Sequence, residues 1–131
     1  IISFHPEADE TSEEIIKNIK TNNCKAGIAI HPNIKVSNIV QFLEHVDLVV
    51  VMTVVPGFGG QKFLLSEVNK IIELKNIKEE KKLNFEIEID GGINNETAKI
   101  CKDSGADVLV AGSYIFSDNK ENYKTMIDSL R

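Results

Sequence analysis

Short apolar runs alternate with amphipathic stretches along the whole chain, and this alternation restricts the fold more than any other feature of the sequence. Strands of a parallel sheet are apolar on both faces because helices cover them, whereas the connecting helices carry apolar residues at helical spacing. The pattern predicts five strands, at residues 1–4, 26–30, 48–54, 85–89 and 108–111. It predicts helices at residues 11–19, 36–45, 65–83, 96–103 and 121–130.

The 131 residues show no linker, low-complexity tract or close repeat, which indicates a single α/β architecture. The predicted strands recur every ~20 to 35 residues, as in successive βα units. Five units fit an open doubly wound sheet, and they also fit about five-eighths of a closed (β/α)₈ barrel. Periodicity leaves both architectures open. The first strand begins at Ile1, without an initiator Met or an earlier element to pair with, so we expect the natural protein to begin earlier.

Composition and charge exclude several functional classes. Hydrophobic residues make up 42% of the chain, which predicts a globular domain. The net charge of −5 argues against a nucleic-acid partner, because backbone phosphates require a basic face. No apolar run approaches the ~20 residues of a membrane span, and the chain does not open like a signal peptide. Cys24 and Cys101 lie in no Cys-x-x-Cys pattern, which favours reduced thiols. We therefore expect a cytoplasmic protein that binds no nucleic acid and no membrane, and its oligomeric state stays open, a homo-oligomer included.

Glycine is concentrated directly after the last three predicted strands. Ligands of parallel α/β folds bind beyond the carboxyl ends of the strands, and the last two strands of a barrel often bind phosphate. Successive glycines let backbone N–H groups approach an anion, and a following helix N-terminus adds a favourable dipole. The alternative, that these glycines only form turns, is the simpler explanation for Gly112 taken alone. Together the three glycine-rich ends predict a phosphate site that would include Gly91, Gly92, Gly112 and Ser113.

Asp90 follows the apolar fourth strand directly and precedes two glycines. A carboxylate at the end of a strand would face bound substrate, where it can transfer protons or bind a divalent metal. It could equally cap the following turn or helix through its oxygens. His5 also ends a predicted strand, but it has no motif partner, and we assign it a hydrogen-bonded supporting role rather than that of a metal ligand.

Three segments, residues 52–63, 88–93 and 105–113, resemble the ribulose-phosphate 3-epimerase family in their order and spacing. Residues 2–5 and 27–30 also fit the fourth and fifth strands of that family. The run from Gly57 to Phe63 is specific to the family, whereas the later glycines alone would indicate only a broad class of phosphate-binding barrels. The resemblance covers essentially the whole chain.

The resemblance implies that residues 1–131 are the C-terminal portion of a single closed (β/α)₈ barrel domain, approximately its strands 4 to 8. It implies an isomerase that interconverts D-ribulose 5-phosphate and D-xylulose 5-phosphate through a 2,3-enediolate, with two aspartates that transfer the C3 proton. Asp90 would be one of them and also a ligand of a divalent metal, either zinc, iron, manganese or cobalt, while Met52 would shield the site from water. The implied substrate-binding residues are Gly57, Phe58, Gly59, Gly60, Gly91, Gly92, Gly112 and Ser113.

The chain departs from the family in two ways. Val55 stands where a polar residue is expected, which puts one substrate contact in doubt. The second aspartate, two metal-binding histidines and a substrate-binding serine belong to the first three strands of the family, which this chain lacks, so we expect the chain alone to be inactive. Two other functions stay open. One is a non-catalytic phosphate-binding half barrel that docks a partner, and the other is a lyase or synthase barrel, which the run from Gly57 to Phe63 disfavours.

Overall fold

A computed structural model of the protein describes residues 1–6, 11–55, 57, 61–116 and 122–131. Its five strands are β1 Ile2–Phe4, β2 Ala26–Ile30, β3 Leu48–Met52, β4 Glu86–Asp90 and β5 Val108–Val110. Its α-helices are α1 Ser12–Thr21, α2 Val68–Glu80, α3 Asn95–Ser104 and α4 Tyr123–Asp128. The strands form one parallel sheet in the order β1-β2-β3-β4-β5. Because the order follows the chain without reversal, the sheet lacks the switch point of a doubly wound fold and matches the wall of a barrel.

The first strand forms as predicted and lies at one edge of the sheet. β1 pairs with β2 through Ile2 opposite Ala26 and Phe4 opposite Ile28. The side chains of Ile1 and Ile2 are 62% and 49% exposed. Among the described residues, no strand pairs with the other edge of β1, so solvent reaches this strand although its composition is apolar.

The α-helix predicted over residues 36–45 is also wrong. This segment forms two 3₁₀ turns, Val36–Asn38 and Val40–Phe42. Its backbone bonds join residues three apart, as from the Phe42 N–H to the Ile39 carbonyl at 2.9 Å. The buried side chains of Val36, Ile39 and Phe42 are also spaced by three, which suits the three residues per turn of a 3₁₀ helix.

The other helices form where they were predicted, with shifted ends. The helix expected over residues 65–83 begins with a 3₁₀ turn, Leu65–Glu67, and continues as α2. It ends early because Lys82 adopts a left-handed conformation with φ of 53°. Residue 121, the predicted start of the last helix, lies outside the described residues. No helix in the described part of the chain is both long and apolar enough to cross a membrane.

The two faces of the sheet bury different side chains. Alternate residues point to opposite faces of a strand, so strand register decides which residues share a layer. The helix-covered face carries the main core, including Ile28, Ile30, Val49, Val51, Ile87 and Ile89. The opposite face carries a smaller apolar cluster of Ala29, Leu48 and Val50, against which Met52 packs. In β4 this second face carries Glu86, Glu88 and Asp90, so the Asp90 carboxylate lies away from the helices.

Two aspartates align the amino ends of neighbouring strands. Asp47 precedes β3, and its carboxylate accepts a hydrogen bond from the Ala26 N–H of β2 at 2.9 Å. Asp107 precedes β5 and accepts from the Ile87 N–H of β4 at the same distance. The backbone N–H of each aspartate donates in return, from Asp47 to the Ala26 carbonyl and from Asp107 to the Ile87 carbonyl, both at 2.8 Å. These paired bonds hold the register that brings the carboxyl ends of the strands together.

We expect the two cysteines to differ strongly in thiol reactivity. Both are free, as predicted; Cys24 is half-buried, whereas Cys101 is fully buried. Burial raises the pKa of the Cys101 thiol from 9.0 to about 11. A neutral-pH thiol reagent should therefore label Cys24 in the folded protein and Cys101 only after unfolding. Since the folded pKa is raised, the protonated thiol stabilises the fold below about pH 9, and this contribution is lost as pH rises towards about 11. Mass spectrometry measures the labelling rates, and equal rates for Cys24 and Cys101 in the folded protein would contradict the expected difference in reactivity.

Candidate functional site

The segments that follow β3, β4 and β5 line one cleft of about 670 Å³. Gln61 and Phe63 come from the segment after β3, Gly92 from the turn after β4, and Ser113 from the turn after β5. The structure thus brings together parts of the three glycine-rich ends that the sequence singled out. Lys62 and Glu96 also line the cleft and carry opposite charges, whereas the predicted site residues Asp90, Gly91 and Gly112 are not among its described lining residues.

The loop after β3 is described only in part. Of the residues predicted to bind substrate there, Phe58, Gly59 and Gly60 lie outside the described residues, and Gly57 is exposed. Val55, the departure from the family pattern, has a side chain that is 62% exposed. Its carbonyl accepts a hydrogen bond from the side-chain amide of Gln61, which joins the two ends of the loop.

Chain packing requires glycine at residues 91 and 92. Both have left-handed backbones, with φ of 131° and 65°. A Cβ atom on Gly91 would lie 2.6 Å from Cγ2 of Val54, and one on Gly92 would lie 2.8 Å from the backbone N of Phe63. The double glycine therefore lets the segments after β3 and β4 pack in direct contact.

The N-terminus of α3 is already capped by the protein itself. The Asn94 side-chain carbonyl accepts hydrogen bonds from the N–H groups of Glu96 at 2.9 Å and Thr97 at 3.0 Å. The Thr97 hydroxyl accepts from the Asn94 N–H and donates to the Gly92 carbonyl at 3.0 Å. The expected helix N-terminus can thus contribute its dipole to an anion, but these two amides are engaged in the capping box.

Three predicted residues keep backbone donors for a ligand. The Gly112 carbonyl accepts from the N–H groups of Ile115 at 3.0 Å and Phe116 at 2.9 Å, which starts a helical turn with Gly112 and Ser113 at its exposed beginning. In the described part of the chain, the N–H groups of Gly92, Gly112 and Ser113 donate to no protein acceptor. Backbone N–H groups in such turns form anion-binding concavities.

Asp90 is the last residue of β4, in register with Met52 of β3 and Val110 of β5. Its carboxylate makes no hydrogen bond or ion pair with any described residue. The sequence left open that this carboxylate caps the next helix, but Asn94 performs that capping. The Asp90 oxygens are therefore available for a ligand, although the side chain lies on the face of β4 opposite the helices.

Three carboxylates share that face of β4, and they affect one another electrostatically. The pKa of Glu88 is raised above its ordinary value, first by burial, then by the negative charge of Asp90 and then by that of Glu86. Like charges on one strand face disfavour ionisation of the most buried member. A further negative charge is therefore unfavourable here unless a cation or a proton compensates it.

The described residues do not form a metal centre by themselves. They include no group of three or more His, Cys, Asp or Glu side chains that could hold a metal ion. Asp90 offers oxygen donors at the end of one strand, which suits one position in a coordination sphere. Any metal at Asp90 would need further ligands from outside the described residues.

A histidine pair at the ends of β1 and β2 was missed at the level of sequence. Nε2 of His5 lies 3.3 Å from Nε2 of His31, and the rings meet edge to face. The Lys70 ammonium donates to the carbonyls of His31 at 3.0 Å and Pro32 at 2.8 Å and pairs with Glu67 at 2.6 Å. The supporting role predicted for His5 thus has a structural partner in His31. The sequence could have indicated this contact, because His5 and His31 each directly follow a predicted strand and the two strands are consecutive.

Comparison with known proteins gives the family. The model of the Ribulose-phosphate 3 epimerase family matches residues 1–116. The chain belongs to this family. Among curated members, ribulose-phosphate 3-epimerase of Bacillus subtilis (strain 168) is 44% identical over 124 residues, and that of Escherichia coli (strain K12) is 37% identical over 131 residues. These alignments cover 92% and 100% of this chain, which spans 57% of the length of each of these epimerases.

Solved structures share the fold of this epimerase-family chain. Thiamine phosphate pyrophosphorylase from Pyrococcus furiosus superposes with a TM-score of 0.64 at 16% identity, covering 98% of this chain and 56% of that one. The tryptophan synthase α-subunit from Pyrococcus furiosus gives a TM-score of 0.61 at 14% identity, covering 90% and 48%. At these identities the likeness concerns the fold alone. Together with the strand order and the family match, it confirms the predicted fold class, part of a (β/α)₈ barrel.

Proposed function

We propose that the protein carrying this chain is an isomerase that interconverts D-ribulose 5-phosphate and D-xylulose 5-phosphate by proton transfer at C3 through an enediolate. Family membership supports this proposal. The observation that carries it is the Asp90 carboxylate, which bonds no described residue and stands two positions before Gly92 of the cleft. Because the chain spans 57% of its curated relatives, the activity is proposed for the complete protein.

The phosphate of the substrate would bind in the cleft between the ends of β3, β4 and β5. The N–H groups of Gly92 and Ser113 in the cleft would supply neutral donors, with that of Gly112 directly before Ser113, and the positive charge of Lys62 would offset the negative charge of Glu96. Such a cradle works within a chain of net charge −5 because its donors act at short range.

The position of Asp90 suits transfer of the C3 proton. Asp90 precedes Gly92 by two residues, so the two Cα atoms lie within roughly 7 Å of each other. Only a short carbon chain separates C3 from the phosphate group of the substrate. With the phosphate at Gly92, the Asp90 carboxylate can take the C3 proton from one face, and a second acid outside the described residues returns a proton to the other face.

A divalent metal belongs to the same proposal. Where zinc, iron, manganese or cobalt is bound, it would neutralise charge that develops on the substrate oxygens. Asp90 is the residue of this chain that we propose as a ligand.

Isotope exchange tests the proposed function directly. We expect the intact gene product to incorporate deuterium from D₂O at C3 of D-ribulose 5-phosphate and to form D-xylulose 5-phosphate. The isolated 131-residue chain should show neither reaction. In the intact protein, phosphate titration should shift the amide resonances of Gly92, Gly112 and Ser113. Phosphate binding without exchange, in protein that contains metal, would refute the epimerase and favour the non-catalytic half barrel.

A further inference from the structure

Thr53 joins three segments at the carboxyl end of the sheet. It directly follows β3 and is 0% exposed. Its N–H donates to the Asp90 carbonyl at 3.0 Å, and its carbonyl accepts from the Leu64 N–H at 2.8 Å. In addition, its hydroxyl donates to the Gly91 carbonyl at 2.6 Å. One buried residue therefore contacts the end of β4, the turn that follows it and the returning end of the loop after β3.

The hydroxyl bond fixes the orientation of one peptide unit. The Gly91 carbonyl belongs to the same peptide group as the Gly92 N–H, and this group is planar and trans. Its carbonyl and its N–H therefore point in opposite directions. Since the carbonyl is directed towards buried Thr53, the Gly92 N–H is directed away from it, and Gly92 lines the cleft.

A peptide between two glycines needs such an anchor. Neither Gly91 nor Gly92 has a Cβ, so both signs of φ are accessible and rotation of the peptide meets little steric resistance. Val54 packs against the Cα of Gly91, where an added Cβ would lie 2.6 Å from Cγ2, but this contact does not orient the carbonyl. Among the described residues, the Thr53 hydroxyl is the side-chain group that bonds this carbonyl.

We propose that Thr53 is a positioning residue whose hydroxyl holds the Gly91–Gly92 peptide so that the Gly92 N–H is presented to the phosphate group of the substrate. Thr53 itself does not touch the substrate. The identity of the ligand rests on the proposed function, whereas the orientation of the peptide does not.

The test compares substitutions that separate the hydroxyl of Thr53 from its methyl group. Thr53→Val keeps the shape and removes the hydroxyl, whereas Thr53→Ser keeps the hydroxyl. In the intact protein we expect Thr53→Val to weaken inorganic phosphate binding about tenfold and to raise KM by a similar factor, with a smaller fall in kcat. Thr53→Ser should stay within about threefold of the unmodified protein, because the same bond can form. The Gly92 amide resonance should move in Thr53→Val and not in Thr53→Ser.

Thr21→Val is the matched control. The Thr21 hydroxyl also donates to a backbone carbonyl, that of Asn18 at 3.0 Å, but on α1 and away from the cleft. Its removal should leave phosphate affinity unchanged. If Thr53→Val does not fold, Thr53→Ala takes its place in the comparison with Thr53→Ser. We then expect weak phosphate binding in Thr53→Ala and retained binding in Thr53→Ser.

Each outcome separates this inference from the proposed function. Unmodified phosphate affinity in Thr53→Val, or equal losses in Thr53→Val and Thr53→Ser, would overturn the role of the hydroxyl. An intact protein without epimerase activity whose phosphate affinity follows the expected pattern would refute the function and support the inference. An unmodified protein that binds no phosphate would refute both.

Discussion

Replacement of Asp90 by asparagine should lower the rate of deuterium exchange at C3 of the substrate by about 10² to 10⁴-fold, the loss typical of a missing acid or base. Asparagine keeps the size of the side chain and removes its charge. Phosphate affinity should remain close to that of the unmodified protein, because in the proposed site Gly92, Gly112 and Ser113 would bind phosphate through their backbone N–H groups. Asp103→Asn, the same change at an exposed site on α3, should leave exchange unaffected.

Metal content measured on the same samples separates two roles of the carboxylate. Loss of both metal and exchange would identify Asp90 as a metal ligand, whereas full metal occupancy without exchange would assign it to proton transfer. An Asp90→Asn protein with full metal content and the unmodified exchange rate would show that Asp90 is a structural residue and that the proposed mechanism is wrong.

Replacement of Gly92 by alanine should lower the free energy of unfolding by roughly 2–5 kcal/mol. A left-handed backbone is unfavourable for alanine, and the new methyl group would lie 2.8 Å from the backbone N and 2.9 Å from the Cα of Phe63. Backbone atoms cannot yield as a flexible side chain does, so the segment at Phe63 must move. Because that segment lines the cleft, phosphate binding should weaken as well.

Urea unfolding of the intact protein, with phosphate titration, measures both effects. Gly112→Ala is the control for stability, because an added Cβ there meets no atom within 4 Å, and its unfolding free energy should change by less than about 1 kcal/mol. If Gly92→Ala unfolds at the same urea concentration as the unmodified protein, then the contact between Gly92 and Phe63 does not contribute to stability.

The sequence predicted the five strands because a buried parallel strand is a local pattern of apolar residues, visible without knowledge of its neighbours. It also predicted that glycines and Asp90 follow the strands, and the structure places Gly92 and Ser113 on one cleft. The same local information failed at residues 36–45, because apolar residues spaced by three suit both an α-helix and a 3₁₀ turn. It could not give the exposure of Ile2 in this chain, since burial of a strand depends on the elements beside it.

Strand order and register decided which residues from different strand ends come into contact. The bond from the Thr53 hydroxyl to the Gly91 carbonyl joins residues 38 positions apart, and the contact between His5 and His31 joins residues 26 positions apart. The sequence alone determined where the five strands lie, to within one or two residues at their ends, because a strand follows from its local hydrophobic pattern. Only the tertiary structure decided which strand ends meet, and it showed that Asn94 rather than Asp90 caps α3. The meeting of the strand ends depends on hydrogen bonds between segments that are distant along the chain, whereas the cap of α3 is a local capping box that the sequence analysis did not single out.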